Sequence, residues 1–358
     1  MKQKINTLET LRGIAALLVA IYHFPSTSFL YWKHGLYAVY FFFVLSGFII
    51  SYVYFSKINN FKELYSFQKK RFFRVYPVHL LMLLIVLLIQ ICKYIVIKYT
   101  ALPYGGEAFG DWYTTKDFIL NLFLLQSIFD YGYWLSWNGS SWSISTEFYT
   151  YLIFGLILLF SRSSKKLFVL ILLGYLFSYF IFYEYLDSLF NVRFLQCIFS
   201  FFCGALTFLI YSKILKNYRL NDAYFTIILI GIILHIKFNF ILRDVVDLNL
   251  IFSILILSFV MLKKTAFIYK LLNYKYFILL GTVSYSYYMI HHSVLYLYVQ
   301  FLKFVVNVNF VSGADGVVSH TGNNFYDSLI TISYLILTFF ISLLVFRFIE
   351  KRFRITTG

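Results

Sequence analysis

Apolar positions along this chain come in long unbroken runs, not in the alternating or one-faced patterns of a water-soluble fold. Runs long enough to cross a bilayer lie near 8–24, 36–56, 75–97, 142–161, 167–184, 194–211, 223–241, 248–262, 277–302 and 327–346. Short polar segments separate them. A further apolar stretch, 117–129, is too short to cross and holds Asn121 and Gln126. It reads as a re-entrant or surface helix inside a long outer segment. The pattern predicts an all-α polytopic integral membrane helical bundle of about ten transmembrane helices, built as one domain over 1–358.

Composition agrees. Of 358 residues, 61% are hydrophobic and 13% charged, against roughly 25% charged in a soluble domain. With 44 Phe and 33 Tyr, the aromatic surface exceeds what a soluble core of this length hides. A formal net charge of +16 does not make this a nucleic-acid binder, because the basic residues sit in short segments between apolar runs. With ten spans and both termini cytoplasmic, the inner segments carry 22 of the 31 Lys and Arg and the outer side eight. If 117–129 crossed, every later basic segment would fall outside. The cysteines, Cys92, Cys197 and Cys203, lie in apolar runs and read as small buried hydrophobes. Met1–Lys4 is basic, but no small-residue cleavage site follows the first apolar run, which therefore reads as a span and not as a removed leader.

Several polar residues interrupt these runs. Leu8–Phe24, LETLRGIAALLVAIYHF, carries Arg12 and His23. Eleven residues is close to three helical turns, so the two share a face about 16 Å apart. A signal anchor with a snorkelling arginine accounts for Arg12 but not for His23. Tyr65–Pro77, YSFQKKRFFRVYP, reads as the first cytoplasmic loop and brings Arg71 and Arg74 onto one face at the start of a span. Two guanidinium forks suit phosphate; a topogenic basic loop accounts for the lysines alone. In Trp137–Tyr149, WNGSSWSISTEFY, Ser140 or Ser141 reads as a helix N-cap and Glu147 as an intramembrane carboxylate needing an arginine or histidine partner. Leu280–Val294, LGTVSYSYYMIHHSV, starts with small residues that permit close helix packing. Its adjacent His291 and His292 are expected to face different sides, and no carboxylate joins a histidine at metal-ligand spacing, so no metal is expected. All five tryptophans fall on the outer side. Either an interfacial aromatic belt or a platform for sugar rings accounts for them.

Taken together, LETLRGIAALLVAIYHF (8–24), FFFVLSGFIIS (41–51), KKRFFRVYPVHLL (69–81), WSISTEFY (142–149), LGTVSYSYYMIHHSV (280–294) and FRFIEKRFR (346–354) resemble the acyltransferase-3 family of membrane O-acyltransferases in order and spacing. Arg12 and His23 fit the family's arginine, ten residues, histidine pattern. Arg71 and Arg74 fit its R-x-x-R, and Trp142, Ser143 and Glu147 its W-S-x-x-x-E. Glu9 for the usual aspartate, and Ser293 and Arg352 for usual prolines, are the departures.

The resemblance implies an enzyme of the bacterial cytoplasmic (inner) membrane. It would move an acyl group, usually acetyl, from cytoplasmic acyl-CoA to a hydroxyl of a surface or exported glycan such as O-antigen, capsule or exopolysaccharide. On this reading Arg12, Arg71 and Arg74 hold the acyl-CoA, and His23 is the general base. Glu147 orients His23 or binds the acceptor, with His291 as the other candidate partner of His23. Trp137, Trp142 and His291 contact the acceptor, and no metal takes part. The implied partners are membrane lipids, a glycan or lipid-linked sugar, and a second copy or a glycan-synthesis protein. The extracytoplasmic hydrolase domain that some members carry is not expected here. The main rival is a flippase or exporter of glycan precursors whose intramembrane charges line a path; a structural partner of a polysaccharide synthase is the other.

Overall fold

The computed structural model of the chain describes residues 5–24, 28–30, 34–100, 107–161, 166–167, 169–175, 177, 190–238, 245–308, 311–312, 318–319 and 321–354. Half of span 167–184, and Trp32, lie outside them. Among the described residues the regular structure is helical, apart from one two-residue strand pair, Val311–Ser312 with Val318–Ser319. In order come α1 (Asn6–His23), α2 (Tyr37–Tyr54), α3 (Phe61–Tyr99), α4 (Thr115–Leu122), α5 (Ser141–Phe160) and α6 (Val192–Ile210). After them come α7 (Asp222–Phe238), α8 (Val245–Val260), α9 (Phe267–Leu272), α10 (Lys275–Phe304) and α11 (Asn324–Val345).

Five of the described helical stretches are long and apolar enough to cross a bilayer: Tyr37–Tyr54, Phe61–Tyr99, Ser141–Phe160, Val192–Leu215 and Asn324–Phe353. Two others with the length, α1 and α10, fall outside that group. Glu9, Arg12 and His23 in one and the serines, tyrosines and histidines of the other lower their hydropathy. Helix α11 shows the solvent it is built for. Asp327, Thr331, Thr338 and Ser342 are buried along one face, while Leu329, Ile332, Ile336, Phe340 and Leu344 point outward. A helix with its polar side inward and its apolar side out is suited to lipid, not water.

Two expectations about helix limits change. The basic stretch before Pro77 is not a loop but the first turns of α3. Asn60 caps it by accepting from Glu63 N, and the Glu63 carboxylate takes Asn59 N–H at 2.7 Å. This reciprocal cap starts the helix well before the apolar run. Pro77 sits inside it. Stretch 117–129 contains only α4, eight residues long, far short of a span. Its Asn121 carbonyl bonds the buried ring of His79 at 2.8 Å, tying the outer segment to α3. Neither Ser140 nor Ser141 caps α5 through its side chain; Ser141 Oγ instead donates to Asn138 O at 2.7 Å. The three cysteines are free, as expected, although Cys92 is exposed.

Helix α1 packs chiefly on α10, and α2 on α6. Both crossings are backbone against backbone. A Cβ on Gly281 would stand 2.1 Å from Glu9 O, and one on Gly47 1.8 Å from Phe201 O. The small residues opening LGTVSYSYYM thus do what their size allows. His23 lies ten residues beyond Gly13, and His291 ten beyond Gly281. A glycine pair that locks the two helices side by side also brings the two histidines level.

Candidate functional site

At the end of α1, the ring of His23 lies 5.0 Å from that of His291 and 4.3 Å from that of His292, centroid to centroid. The two adjacent histidines do face different sides, yet both reach His23. They are about 100° apart on α10, and His23 sits in the notch between them. His291 Nδ1 is 2.5 Å from Tyr288 O and His23 Nδ1 is 2.9 Å from Val19 O. Carbonyls only accept, so both rings carry their proton on Nδ1. The His23 Nδ1–H also faces His291 Nε2 at 3.2 Å. The network assigns one tautomer to each ring and leaves His23 Nε2 with a lone pair. Tyr334, fully buried on α11, donates to His291 O at 3.1 Å and steadies this turn.

His23 and His292 open on a cavity of about 490 Å³ that also carries Trp112, Trp137, Gln90, Asn138 and Gln300 on its wall. Trp137 has a left-handed backbone, φ 60°, which a bulky residue adopts only under constraint. Its N–H donates to Trp112 O at 3.2 Å and its indole Nε1 to Thr114 O at 3.1 Å. Tyr113 packs edge-on against it, and burial raises the Tyr113 phenol above its ordinary pKa. No Lys, Arg, Asp or Glu is among the residues lining this cavity.

A second cavity, of about 250 Å³, gathers Arg12, Arg71, Arg74, Glu9 and Glu147 with Ser143, Tyr151 and Tyr288. Three cations against two carboxylates suit an anionic guest. Arg12 pairs with Glu9 at 3.6 Å. The Arg71 guanidinium lies among the rings of Tyr54, Phe67 and Tyr151 at 5.5–5.9 Å. Its buried Nε has no hydrogen-bond partner among the described residues. Glu147 accepts from the Tyr151 phenol at 2.5 Å, and that phenol also meets Ser46 Oγ at 2.9 Å.

The structure brings Arg12, Arg71 and Arg74 together on one cavity and sets His23 on the other. Trp137 joins His23 on the larger cavity. Three change place. Glu147 belongs to the arginine cavity and bonds Tyr151, and the side chain that meets His23 Nδ1 is His291. His291 is fully buried behind His23 and does not face the larger cavity, where His292 stands instead. Trp142 is core: it packs edge-on between Phe43 and Trp134 and lines neither cavity.

The sequence reading missed Glu350. This buried carboxylate, in the π-helical turn after α11, pairs with Arg354 and accepts a hydrogen bond from the Ser286 hydroxyl at 2.6 Å. It also lies near enough to act on Arg74. Its signal was an acid at i, i+4 from an arginine inside an otherwise basic run. The nitrogens of His23, His291 and His292 lie within 4.8 Å of one another, a set able to hold a metal ion.

Buried histidines at one end of α1 and clustered arginines at the other define a membrane protein with a two-chambered site within its helical bundle. The chain belongs to the acyltransferase-3 family, whose acyltransferase domain matches residues 5–347. It is a membrane acyltransferase by that membership. Comparison with curated proteins and with solved structures found no match.

Proposed function

We propose that this protein is an O-acyltransferase, with acetyl-CoA as donor and a glycan hydroxyl as acceptor. It would act in the bacterial cytoplasmic membrane, with about ten spans and both termini inside. The carrying observation is the division of α1 between two cavities, Arg12 on one and His23 on the other. Donor phosphates sit against Arg71, Arg74 and Arg12 from the cytoplasm, where planar guanidinium forks match phosphate oxygens. The axial distance from Arg12 to His23, about 16 Å, is comparable to a pantetheine arm.

The acceptor sugar lies on Trp112 and Trp137 in the outer cavity, with Gln90, Asn138 and Gln300 to meet its hydroxyls. His23 Nε2 takes the acceptor proton as the oxygen attacks the thioester carbonyl. The C–S bond breaks, and the proton passes from His23 to the departing thiolate. The positive charge that His23 gains in between is met by Val19 O and the His291 Nε2 lone pair. That is the reason for His291 to hold its own proton on Nδ1.

The test is the mass of the cell's surface glycan with wild-type protein and with His23→Ala. Loss of one acyl group per repeat while the glycan still reaches the surface supports the enzyme. Loss of the glycan itself supports the transport reading. Purified protein that neither hydrolyses nor transfers acetyl from acetyl-CoA sinks the proposal.

A further inference from the structure

We propose that His23, His291 and His292 form a three-imidazole site for a divalent transition-metal ion, and that its occupancy silences His23. The three nitrogens already lie within 4.8 Å of one another. A tetrahedral ion with bonds of about 2.0–2.1 Å needs ligand nitrogens roughly 3.4 Å apart. The His23 and His291 rings already touch, His23 Nδ1–H standing 3.2 Å from His291 Nε2, and the lone pair of each ring is on Nε2. Ring rotations that turn these lone pairs and that of His292 onto one ion complete the site.

The surroundings are those of a metal-binding histidine set. Ligating histidines usually give their other ring N–H to a carbonyl or carboxylate, which fixes the tautomer and frees one lone pair. Val19 O does this for His23 and Tyr288 O for His291. No hydrogen bond to the His292 ring is found among the described residues. Its contacts are the rings of His23 and His291, at 4.3 and 4.4 Å. Gly139 leaves the space it needs, since a Cβ there would stand 3.3 Å from His292 Nε2. The larger cavity gives an ion access from one side and a water the fourth position. Its lining brings no carboxylate, and imidazole donors select Zn²⁺, Cu²⁺ or Ni²⁺ over Mg²⁺ and Ca²⁺.

The site goes beyond the catalytic reading, because it uses the same His23 lone pair for a different guest. Ion and acceptor proton cannot both occupy it. Bound metal therefore inhibits, and a chelator restores transfer.

The experiment uses the full chain, purified in detergent and stripped with EDTA, with Zn²⁺ as the probe. Calorimetric titration is expected to show one Zn²⁺ per chain. The fine structure beyond its X-ray absorption edge should show three imidazole nitrogens at about 2.0 Å. His292→Phe, which keeps a ring in place, should weaken Zn²⁺ binding at least tenfold while melting as the wild type does. Absent stoichiometric binding, a sulfur-containing shell, or unchanged affinity in His292→Phe would each overturn the site. Should that variant fail to fold, the absorption spectrum of the wild type decides alone. Acyl transfer assayed on the same samples separates the two readings. Transfer in EDTA without Zn²⁺ binding overturns the metal site only. Zn²⁺ binding in a protein that never transfers overturns the catalytic reading only.

Discussion

Substituting Gly281 by alanine tests whether the α1–α10 crossing sets the chemistry. The added methyl would stand 2.1 Å from Glu9 O and 2.4 Å from Glu9 C. Both are helix backbone and cannot rotate aside. Ordinary contact begins at 3.4 Å, so the helices must part by 3.4 − 2.1, about 1.3 Å. At the histidine level the same shift takes the His23–His291 contact from 3.2 Å to about 4.5 Å, beyond hydrogen-bond range. Overpacking of this kind costs about 1–3 kcal/mol of stability. Misplacing a reacting group by about 1 Å costs on the order of 10²-fold in rate.

Gly13→Ala meets Gly281 N at 2.7 Å and forces about half that displacement. Gly231, with nothing within 4 Å, is the control. The expected order of lost kcat is Gly281→Ala, then Gly13→Ala, with Gly231→Ala at wild-type rate. It is measured as acyl transfer by purified protein whose melting temperature confirms folding. A folded Gly281→Ala protein within threefold of wild type would refute the claim that this crossing places His23.

Other substitutions separate the two cavities. Arg71→Lys keeps the charge but loses the planar group lying among Tyr54, Phe67 and Tyr151; it should raise KM for acyl-CoA about tenfold with kcat little changed. Trp137→Ala removes the strained indole from the outer cavity and should raise KM for the acceptor while leaving KM for acyl-CoA alone, which steady-state kinetics with each substrate varied will decide. Glu350→Ala leaves Arg354 without its carboxylate and Ser286 without its acceptor. A loss of about 3 kcal/mol is expected for breaking such a buried pair, readable as a lowered melting temperature before any effect on KM.

How much of this the sequence discloses depends on what each residue costs in its surroundings. Arg12 and His23 stand out because polar groups in hydrocarbon are expensive and need a reason. Arg71 and Arg74 are legible because a spacing of three puts them on one helical face. Glu147 is conspicuous for the same reason as Arg12, yet its partner is not legible. Spacing along α5 says nothing about which cavity that face meets, and the residue settles on Tyr151. Trp142 shows the limit of composition, since an indole that fits a sugar platform fits a core between Phe43 and Trp134 equally well. His292 was hidden by a rule that holds for contacts along one face. A ring from a second helix, set on the bisector of two adjacent positions, touches both. The early start of α3 is local and was readable in Asn59-Asn60 and Glu63, but the apolar run at 75–97 dominates the pattern.

The wall between the cavities explains why so many of these residues fall on two short stretches. Asn138 and Gly139 line the histidine side and Ser143 the arginine side; on α10, His292 and Ser293 line one side and Ser284, Tyr285 and Tyr288 the other. Among the described residues none lines both. The partition is thus the short stretch from Gly139 into the first residues of α5 and about one turn of α10, some 5.4 Å of helix, closed by the Ser143–Tyr288 hydrogen bond at 2.8 Å and by Asn138 holding Met289 O at 3.2 Å. On the proposed mechanism, a thioester that enters beside Arg71 has to part that hydroxyl pair to meet His23. Tyr288 is not a passive plug in this respect. Its phenol closes the wall, and its carbonyl takes the His291 Nδ1–H, which sets the lone pair that faces His23. On the proposed mechanism, one residue thus stands in the path of the acyl group with its phenol and fixes the tautomer of the ring beside the base with its carbonyl.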